Sequence, residues 1–200
     1  SSHDQILGGE LGQTFVGTQF PADPQYAPLI VEEARKVGDY LAAEGVVGRF
    51  GVDFVVTQRA TGWVSYAVEI NLREGGTSHP YGALELLTGG CLNEPMTRFI
   101  TPSGQVKYYF ATDWLVAPDY AAIGLNAFLE ASSATGLDWS PSSQTGAIYF
   151  MLRGLEDRGW IGVVTVGNSP DNAHEIYLKV VRLLDKLAHQ HALHRMCRNA

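Results

Sequence analysis

Residues 52–80, which read VDFVVTQRATGWVSYAVEINLREGGTSHP, predict a hairpin of two short strands followed by a glycine-rich turn. In the second strand, apolar side chains occupy alternate positions on one face, while Glu69 and Asn71 share the other face. The strands connect through residues 59–62, Arg-Ala-Thr-Gly, a turn candidate that indicates a hairpin with a longer loop. We expect the rest of the chain to support this hairpin.

Acidic side chains are expected to meet across the two strands. If the turn is centred on Thr61, Asp53 lies directly opposite Glu69, and like charges placed in this way cost stability unless a cation neutralises them. Asp, Glu and Asn together offer only oxygen ligands, which suit magnesium better than zinc or copper. The sequence therefore predicts that Asp53, Glu69 and Asn71 hold a divalent cation.

The turn after the second strand has the chemistry of an anion-binding loop. Arg73 carries a planar guanidinium that suits a phosphate or an acyl phosphate, and Gly75 and Gly76 allow the backbone to approach a ligand closely. Thr, Ser and His at residues 77–79 add donors around the same turn. The alternative is a solvated hairpin with ordinary surface charges, but so many polar groups in one short stretch favour a functional site.

These motifs resemble the metal-binding core of the ATP-grasp superfamily. The runs GRFGVDF from Gly48 and EINLREGGTSHP from Glu69 are similar to the acidic residue, the short hairpin and the Glu-x-Asn motif that its ligases and carboxylases share. Glu-x-Asn-x-Arg followed by His-Pro resembles biotin carboxylase and its relatives. The longer form Arg-x-Gly-Gly-Thr-Ser-His-Pro, together with the run GQTFVGTQFPA and the tail after residue 100, is more similar to peptide ligases of the pheganomycin type.

The resemblance implies an ATP-dependent and Mg²⁺-dependent carboxylate-amine ligase that acts through an acyl phosphate. Its substrates would be a small-molecule carboxylate and an amine, such as an amino acid or a peptide. The implied metal ligands are Asp53, Glu69 and Asn71, and the implied catalytic residues are Arg73 and His79. The residues implied to bind ATP and its phosphates are Glu69, Asn71, Arg73, Gly75 and Gly76.

Two other functions remain open at this point. A carboxylase of the biotin carboxylase type would share the metal site but use bicarbonate, and a non-catalytic nucleotide-binding module would keep the scaffold. ATP-grasp proteins usually carry phosphate-binding lysines and an adenine-binding hinge before the Glu-x-Asn strand, whereas here only Lys36 precedes it. Because the sequence also starts at Ser1 without a methionine, we expect a C-terminal fragment that is inactive alone.

The expected fold class is α+β. The resemblance implies an ATP-grasp C-terminal lobe, with an antiparallel sheet and packed helices, plus a C-terminal layer of a β-hairpin and a helix. Residues 1–22 would end the small lobe, residues 23–100 would form the metal-binding core, and residues 101–200 would form the C-terminal layer.

Local patterns predict the individual elements. Apolar spacing predicts a helix over residues 26–43, packed on the back of the hairpin, and a short helix over residues 81–87 that Gly89 and Gly90 end. The runs GAIYFML and IGVVTVG, joined by DRGW, predict a second hairpin, followed by a helix with Ser169 as its N-cap.

Three polar residues outside the main motif have expected surroundings of their own. Lys107 is expected to be an exposed residue of a strand, Arg49 either binds phosphate or lies on the surface, and Glu85 is expected to be solvated.

Composition excludes some classes of function. A net charge of −7 with dispersed Lys and Arg offers no basic field for nucleic acid. No apolar run has the length of a membrane span, and we expect a cytoplasmic protein with Cys91 and Cys197 as free thiols. His189, His191, His194 and Cys197 suggest zinc, but His189 does not share a helix face with the other histidines, so we reject this site. Neither the identities of the acid and the amine nor the oligomeric state follow from the sequence.

Overall fold

The computed structural model describes residues 1–93 and 96–198, with side chains through Leu193. Its elements in chain order are β1 (Asp4–Gly8), β2 (Thr14–Phe20), α1 (Ala27–Ala43), β3 (Gly51–Arg59), β4 (Gly62–Asn71), α2 (Ser78–Thr88), β5 (Cys91–Leu92), β6 (Phe99–Ile100), β7 (Val106–Val116), a 3₁₀ turn (Pro118–Ala122), α3 (Leu125–Ala134), β8 (Gly146–Phe150), α4 (Arg153–Arg158), β9 (Trp160–Gly167) and α5 (Pro170–Arg198). The predicted α+β class, with antiparallel strands and packed helices, is confirmed. Within the described residues, no helix combines the length and the apolar character needed to span a bilayer.

The chain divides into two compact units. The first unit contains Ser1–Asp4 and Gln19–Val106. The second unit contains Gln5–Thr18 and the residues from Lys107 onward. The hairpin that carries the predicted metal ligands therefore belongs wholly to the first unit.

In the first unit, the start of α1 packs against the hairpin of β3 and β4. The buried side chains of Ala27 and Ile30 on α1 contact Phe54 and Val56 on β3. The helix prediction for residues 26–43 and its expected place on the hairpin are both confirmed. This helix therefore packs against one face of the hairpin.

The second unit is built on a sheet with the strand order β1-β2-β7-β9-β8. Strand β9 pairs antiparallel with both β7 and β8, and its side chains from Ile161 to Gly167 are buried. A core cluster that includes Phe128 on α3, Val163 on β9 and Leu184 on α5 joins the helices to this sheet. As predicted, Ser169 caps α5, because its Oγ accepts a hydrogen bond of 3.0 Å from the amide of Asn172.

The connection between β8 and β9 differs from the prediction. The expected first strand stops at Phe150, and residues 153–158 form helix α4 instead of a simple link. Leu155 of this helix is fully buried in the core of the second unit.

The expectation for Lys107 is wrong, because its side chain is fully buried. Its Nζ donates hydrogen bonds to the carbonyl oxygen of Ser143 at 2.9 Å and to Oδ1 of Asn168 at 2.7 Å. Lys107 shares the buried positions of β7 with Tyr109 and Ala111, which follow it at alternate residues. This alternation is the signal in the sequence that could have placed the lysine inside.

Cysteine and histidine side chains add no metal centre to the described part of the chain. Cys91 is an exposed free thiol, as expected. No group of three or more His, Cys, Asp or Glu side chains among the described residues is arranged to hold a metal ion. His189 and His191 lie on α5, whereas the side chains of His194 and Cys197 lie outside the described residues.

Candidate functional site

The β3–β4 hairpin brings its acidic residues opposite each other. In the antiparallel register, Asp53 pairs with Glu69 and Gly51 pairs with Asn71, so the predicted opposition of the two carboxylates is confirmed. The turn, however, is not a longer loop. Arg59 pairs directly with Gly62, which leaves a link of two residues.

A bulge explains how a tight turn still produces this pairing. The register shifts between Asp53 and Phe54, where Phe54 pairs with Ala67 and Asp53 pairs with Glu69. Val68 is therefore an extra, unpaired residue in β4. The prediction had instead placed one extra residue in the turn. A bulge re-aims the side chains beside it, and this one lies next to the two carboxylates.

Asp53, Glu69, Asn71 and Arg73 form one interacting group. Nδ2 of Asn71 donates to Oδ2 of Asp53 at 3.3 Å. Partial burial raises the pKa of the Asp53 carboxyl above its ordinary value, the charge and a shared hydrogen bond of Glu69 raise it further, and the charge of Arg73 partly offsets these effects. Burial and the neighbouring Glu69 both disfavour the charged form of Asp53, and a bound cation would offset these effects as a proton does.

The donor set fits magnesium. Two carboxylates and one amide provide oxygen ligands, and the bond from Asn71 to Asp53 uses the amide nitrogen, which leaves the amide oxygen for a metal. Neither a thiolate nor an imidazole belongs to this group, so its chemistry does not suit zinc. Magnesium held by few protein ligands completes its coordination with water and phosphate oxygens.

The glycine-rich turn forms a second group, directly after the first in the sequence. The Gly75 amide donates to Oγ of Ser78 at 3.1 Å, and the Ser78 amide donates to the Gly75 carbonyl at 3.0 Å. These bonds close the turn, and α2 begins at Ser78, three residues earlier than the predicted start at residue 81. Gly76 and His79 are both exposed, on the turn and in the first helical turn.

A third polar group lies on α2 and was not recognised as a unit from the sequence. Nη2 of Arg49 lies 3.6 Å from Oε2 of Glu85, so Glu85 is not simply solvated and Arg49 has a partner on the helix. Tyr81 precedes Glu85 by one helical turn, and both charges act on its hydroxyl. The spacing of Tyr81 and Glu85, four residues apart on a predicted helix, is the signal that could have indicated this group.

The sequence has a relative among characterised ligases. Over 173 residues it is 33% identical to the L-propargylglycine–L-glutamate ligase of Streptantibioticus cattleyicolor, and the match covers 86% of this chain and 34% of that protein. The chain thus spans about a third of the length of the relative. No family model matches the sequence.

Proposed function

We propose, from the similarity to the L-propargylglycine–L-glutamate ligase and from the resemblance to ATP-grasp ligases of the pheganomycin type, that this chain carries the metal-binding part of a ligase that joins a carboxylate to an amine. In this proposal, ATP transfers its γ-phosphoryl group to the carboxylate and leaves as ADP. The amine then attacks the acyl carbon, loses a proton and displaces phosphate, so that a C–N bond forms. The relative is named for L-propargylglycine and L-glutamate, and we propose amino acids or peptides as substrates here.

The observation that carries the proposal is the opposition of Asp53 and Glu69, with Asn71 hydrogen bonded to Asp53. Two carboxylates directly across an antiparallel pair are destabilising by themselves. Their presence beside Arg73, whose charge acts on Asp53, fits a site that binds a cation together with an anionic ligand. An ordinary solvated hairpin gains nothing from this arrangement.

Each residue of the site has a proposed role. Asp53, Glu69 and Asn71 hold Mg²⁺, which when bound neutralises charge on the phosphates of ATP. Arg73 stabilises charge on the transferred phosphoryl group or on the acyl phosphate. The amides at Gly75 and Gly76 orient the phosphates or the carboxylate, and His79 contacts the substrate at the start of α2.

This chain supplies one part of that machinery in our proposal. Residues 23–100 form the metal-binding core, residues 1–22 end the small lobe and residues 101–200 form the C-terminal layer. The part of the relative that lies outside the match is about twice as long as the matched part. We propose that phosphate-binding lysines and an adenine pocket belong to the counterpart of that unmatched part. The chain alone is therefore expected to bind Mg²⁺ without turning over ATP. We propose a cytoplasmic location, where ATP is available to the ligase.

The test is a calorimetric titration of Mg²⁺, with and without a non-hydrolysable ATP analogue, into the chain and its Glu69→Gln variant. Removing one of two carboxylate ligands should weaken Mg²⁺ binding by roughly 10-fold or more, because the neutral amide of glutamine is a weaker ligand for Mg²⁺ and even the loss of a residue that only supports a ligand typically costs about 10–100-fold in metal affinity. Glu74→Gln removes an exposed carboxylate from the same turn and serves as the matched control.

Equal Mg²⁺ affinity in the Glu69→Gln and Glu74→Gln variants would disprove the metal assignment. In a protein that contains both this chain and the proposed nucleotide-binding part, ADP release stimulated by amino acids supports the ligase. ADP release stimulated by bicarbonate supports the carboxylase instead. Nucleotide binding without ADP release in response to either supports a non-catalytic module.

A further inference from the structure

The polar group on α2 contains an ion pair whose charged atoms are farther apart than in a charge-assisted hydrogen bond of normal length. Arg49 and Glu85 lie 3.6 Å apart, with side chains 56% and 36% exposed. Charge-assisted N–H···O bonds are normally about 2.7–2.9 Å long, and arginine can offer a carboxylate two of them at once. Both side chains therefore retain capacity for a ligand, and an exposed pair of this kind adds little to stability.

The Tyr81 hydroxyl lies within the electrostatic reach of both charges. Burial raises the pKa of Tyr81 most, the charge of Glu85 and a side-chain hydrogen bond to it raise the pKa further, and the Arg49 guanidinium lowers it. Arg49 enters from the loop before β3, whereas Tyr81 and Glu85 project from successive turns of α2. A cation and an anion thus meet from two elements of one unit, and the Tyr81 hydroxyl donates to the anion and orients it.

Aromatic packing holds Tyr81 in place. Its ring meets the fully buried rings of Phe20 and Phe99 edge to face, with centroids 5.6 and 6.0 Å apart. The His3 ring also contacts it, at 6.3 Å. A ring fixed from several sides presents its hydroxyl at a defined position, which is what a recognition site requires.

We propose that Arg49, Tyr81 and Glu85 bind the charged backbone of a free α-amino acid. The guanidinium pairs with the α-carboxylate, the Glu85 carboxylate pairs with the α-ammonium group, and the Tyr81 oxygen, whose hydrogen is donated to Glu85, accepts a hydrogen bond from the same ammonium group. An α-amino acid fits because it carries one charge of each sign on neighbouring atoms, matching the opposed charges of the site. The identification of this amino acid as a substrate rests on the proposed ligase function, but the binding itself does not.

The place of the site in the chain fits a substrate of the metal-binding hairpin. Arg49 precedes Asp53 by four residues, so their Cα atoms are at most about 14 Å apart even in a fully extended chain. The turn that ends at Ser78 leads directly from Arg73 into the helix that carries Tyr81 and Glu85. An amino acid held by its backbone charges therefore lies near the residues proposed to handle phosphate.

The experiment is a calorimetric titration of L-glutamate into the chain, compared with N-acetyl-L-glutamate and with L-glutamate amidated at its α-carboxylate. We expect L-glutamate to bind, and each blocked form to bind roughly 10-fold or more weakly, because each lacks one charged hydrogen bond of about 1.5–3 kcal/mol. Arg49→Met and Glu85→Gln should each weaken binding of L-glutamate by a similar factor. Tyr81→Phe, which loses the hydroxyl that orients Glu85 and accepts from the ammonium group, should weaken it about 2- to 10-fold.

Arg153→Met is the matched control. Nε of Arg153 lies 3.5 Å from Oδ2 of Asp157 in another exposed pair, and this substitution should leave L-glutamate affinity unchanged. Thermal unfolding of each variant establishes that it is folded. Loss of stability in Arg49→Met without loss of affinity would show a structural ion pair and overturn the proposal, as would equal binding of the blocked forms or no binding by the unaltered chain.

Magnesium titration of the same samples separates this inference from the proposed function. If Mg²⁺ binds at Asp53 and Glu69 but L-glutamate does not bind, the amino-acid site is wrong and the metal assignment stands. If L-glutamate binds with the expected dependence on Arg49 and Glu85 but Mg²⁺ does not bind, the ligase proposal fails and the amino-acid site stands.

Discussion

The buried Lys107 provides a sharp test of the energetics of the second unit. Its amine donates to two neutral oxygen acceptors, the Ser143 carbonyl and the Asn168 side chain. Lys107→Met keeps a long flexible side chain but removes both hydrogen bonds, and water can reach the two acceptors because Ser143 and Asn168 are exposed. Each lost bond costs about 0.5–1.5 kcal/mol net, so the substitution should lower the free energy of unfolding by about 1–3 kcal/mol at pH 7.

The burial of Lys107 also predicts that the free energy of unfolding depends on pH. Burial lowers the pKa of Lys107 below its ordinary value of 10.5. Between the folded-state pKa and 10.5, the unfolded chain binds more protons than the folded chain, so the contribution of Lys107 to stability increases as pH rises. The slope is at most about 1.4 kcal/mol per pH unit for a single group.

Urea unfolding followed by circular dichroism measures both effects. The difference in unfolding free energy between the unaltered chain and Lys107→Met should grow as pH rises toward 10, and other titrating groups cancel in that difference. Lys179→Met is the control, because Lys179 forms an exposed pair with Glu175 at 3.0 Å and should cost under about 1 kcal/mol. If Lys107→Met is as stable as Lys179→Met and shows no growing difference, the burial argument is wrong.

Two glycines predict opposite effects on stability. In Gly17→Ala, the added Cβ would lie 2.5 Å from the carbonyl oxygen of Ala111 on the adjacent strand, so we expect the melting temperature to fall with a loss of about 1–3 kcal/mol. In Gly82→Ala, the added Cβ meets no atom within 4 Å inside α2, and the higher helix propensity of alanine should stabilise the protein by about 0.5–1 kcal/mol. Thermal unfolding measures both variants, and a destabilised Gly82→Ala or a neutral Gly17→Ala would contradict the packing described here.

Local pattern was sufficient for the main hairpin and its acidic residues. The alternation of β4 and the turn signal at residues 59–62 placed Asp53 across from Glu69, and the structure has that pairing. The reason is that side-chain direction in a strand repeats every two residues, so one turn determines a whole register. The bulge at Val68 was missed because a tight turn with a bulge and a longer loop without one produce the same pairing of the carboxylates.

Tertiary structure decided what depends on distant residues. The ion pair of Arg49 with Glu85 joins a loop to a helix 36 residues later, and Lys107 reaches Asn168, 61 residues away. Local propensity carries no information about such partners, so Lys107 was expected on the surface and Glu85 in solvent.

The division of the chain into two units also depends on residues that are distant in the sequence. Strand β2 pairs with β7, about 90 residues later, although no local signal in either segment indicates the other. The sequence by itself determined most of the element types, the pairing of Asp53 with Glu69 and the oxygen-rich donor set. The tertiary structure alone decided that Lys107 is buried and that Arg49 meets Glu85, because these contacts depend on the packing of segments far apart in the chain.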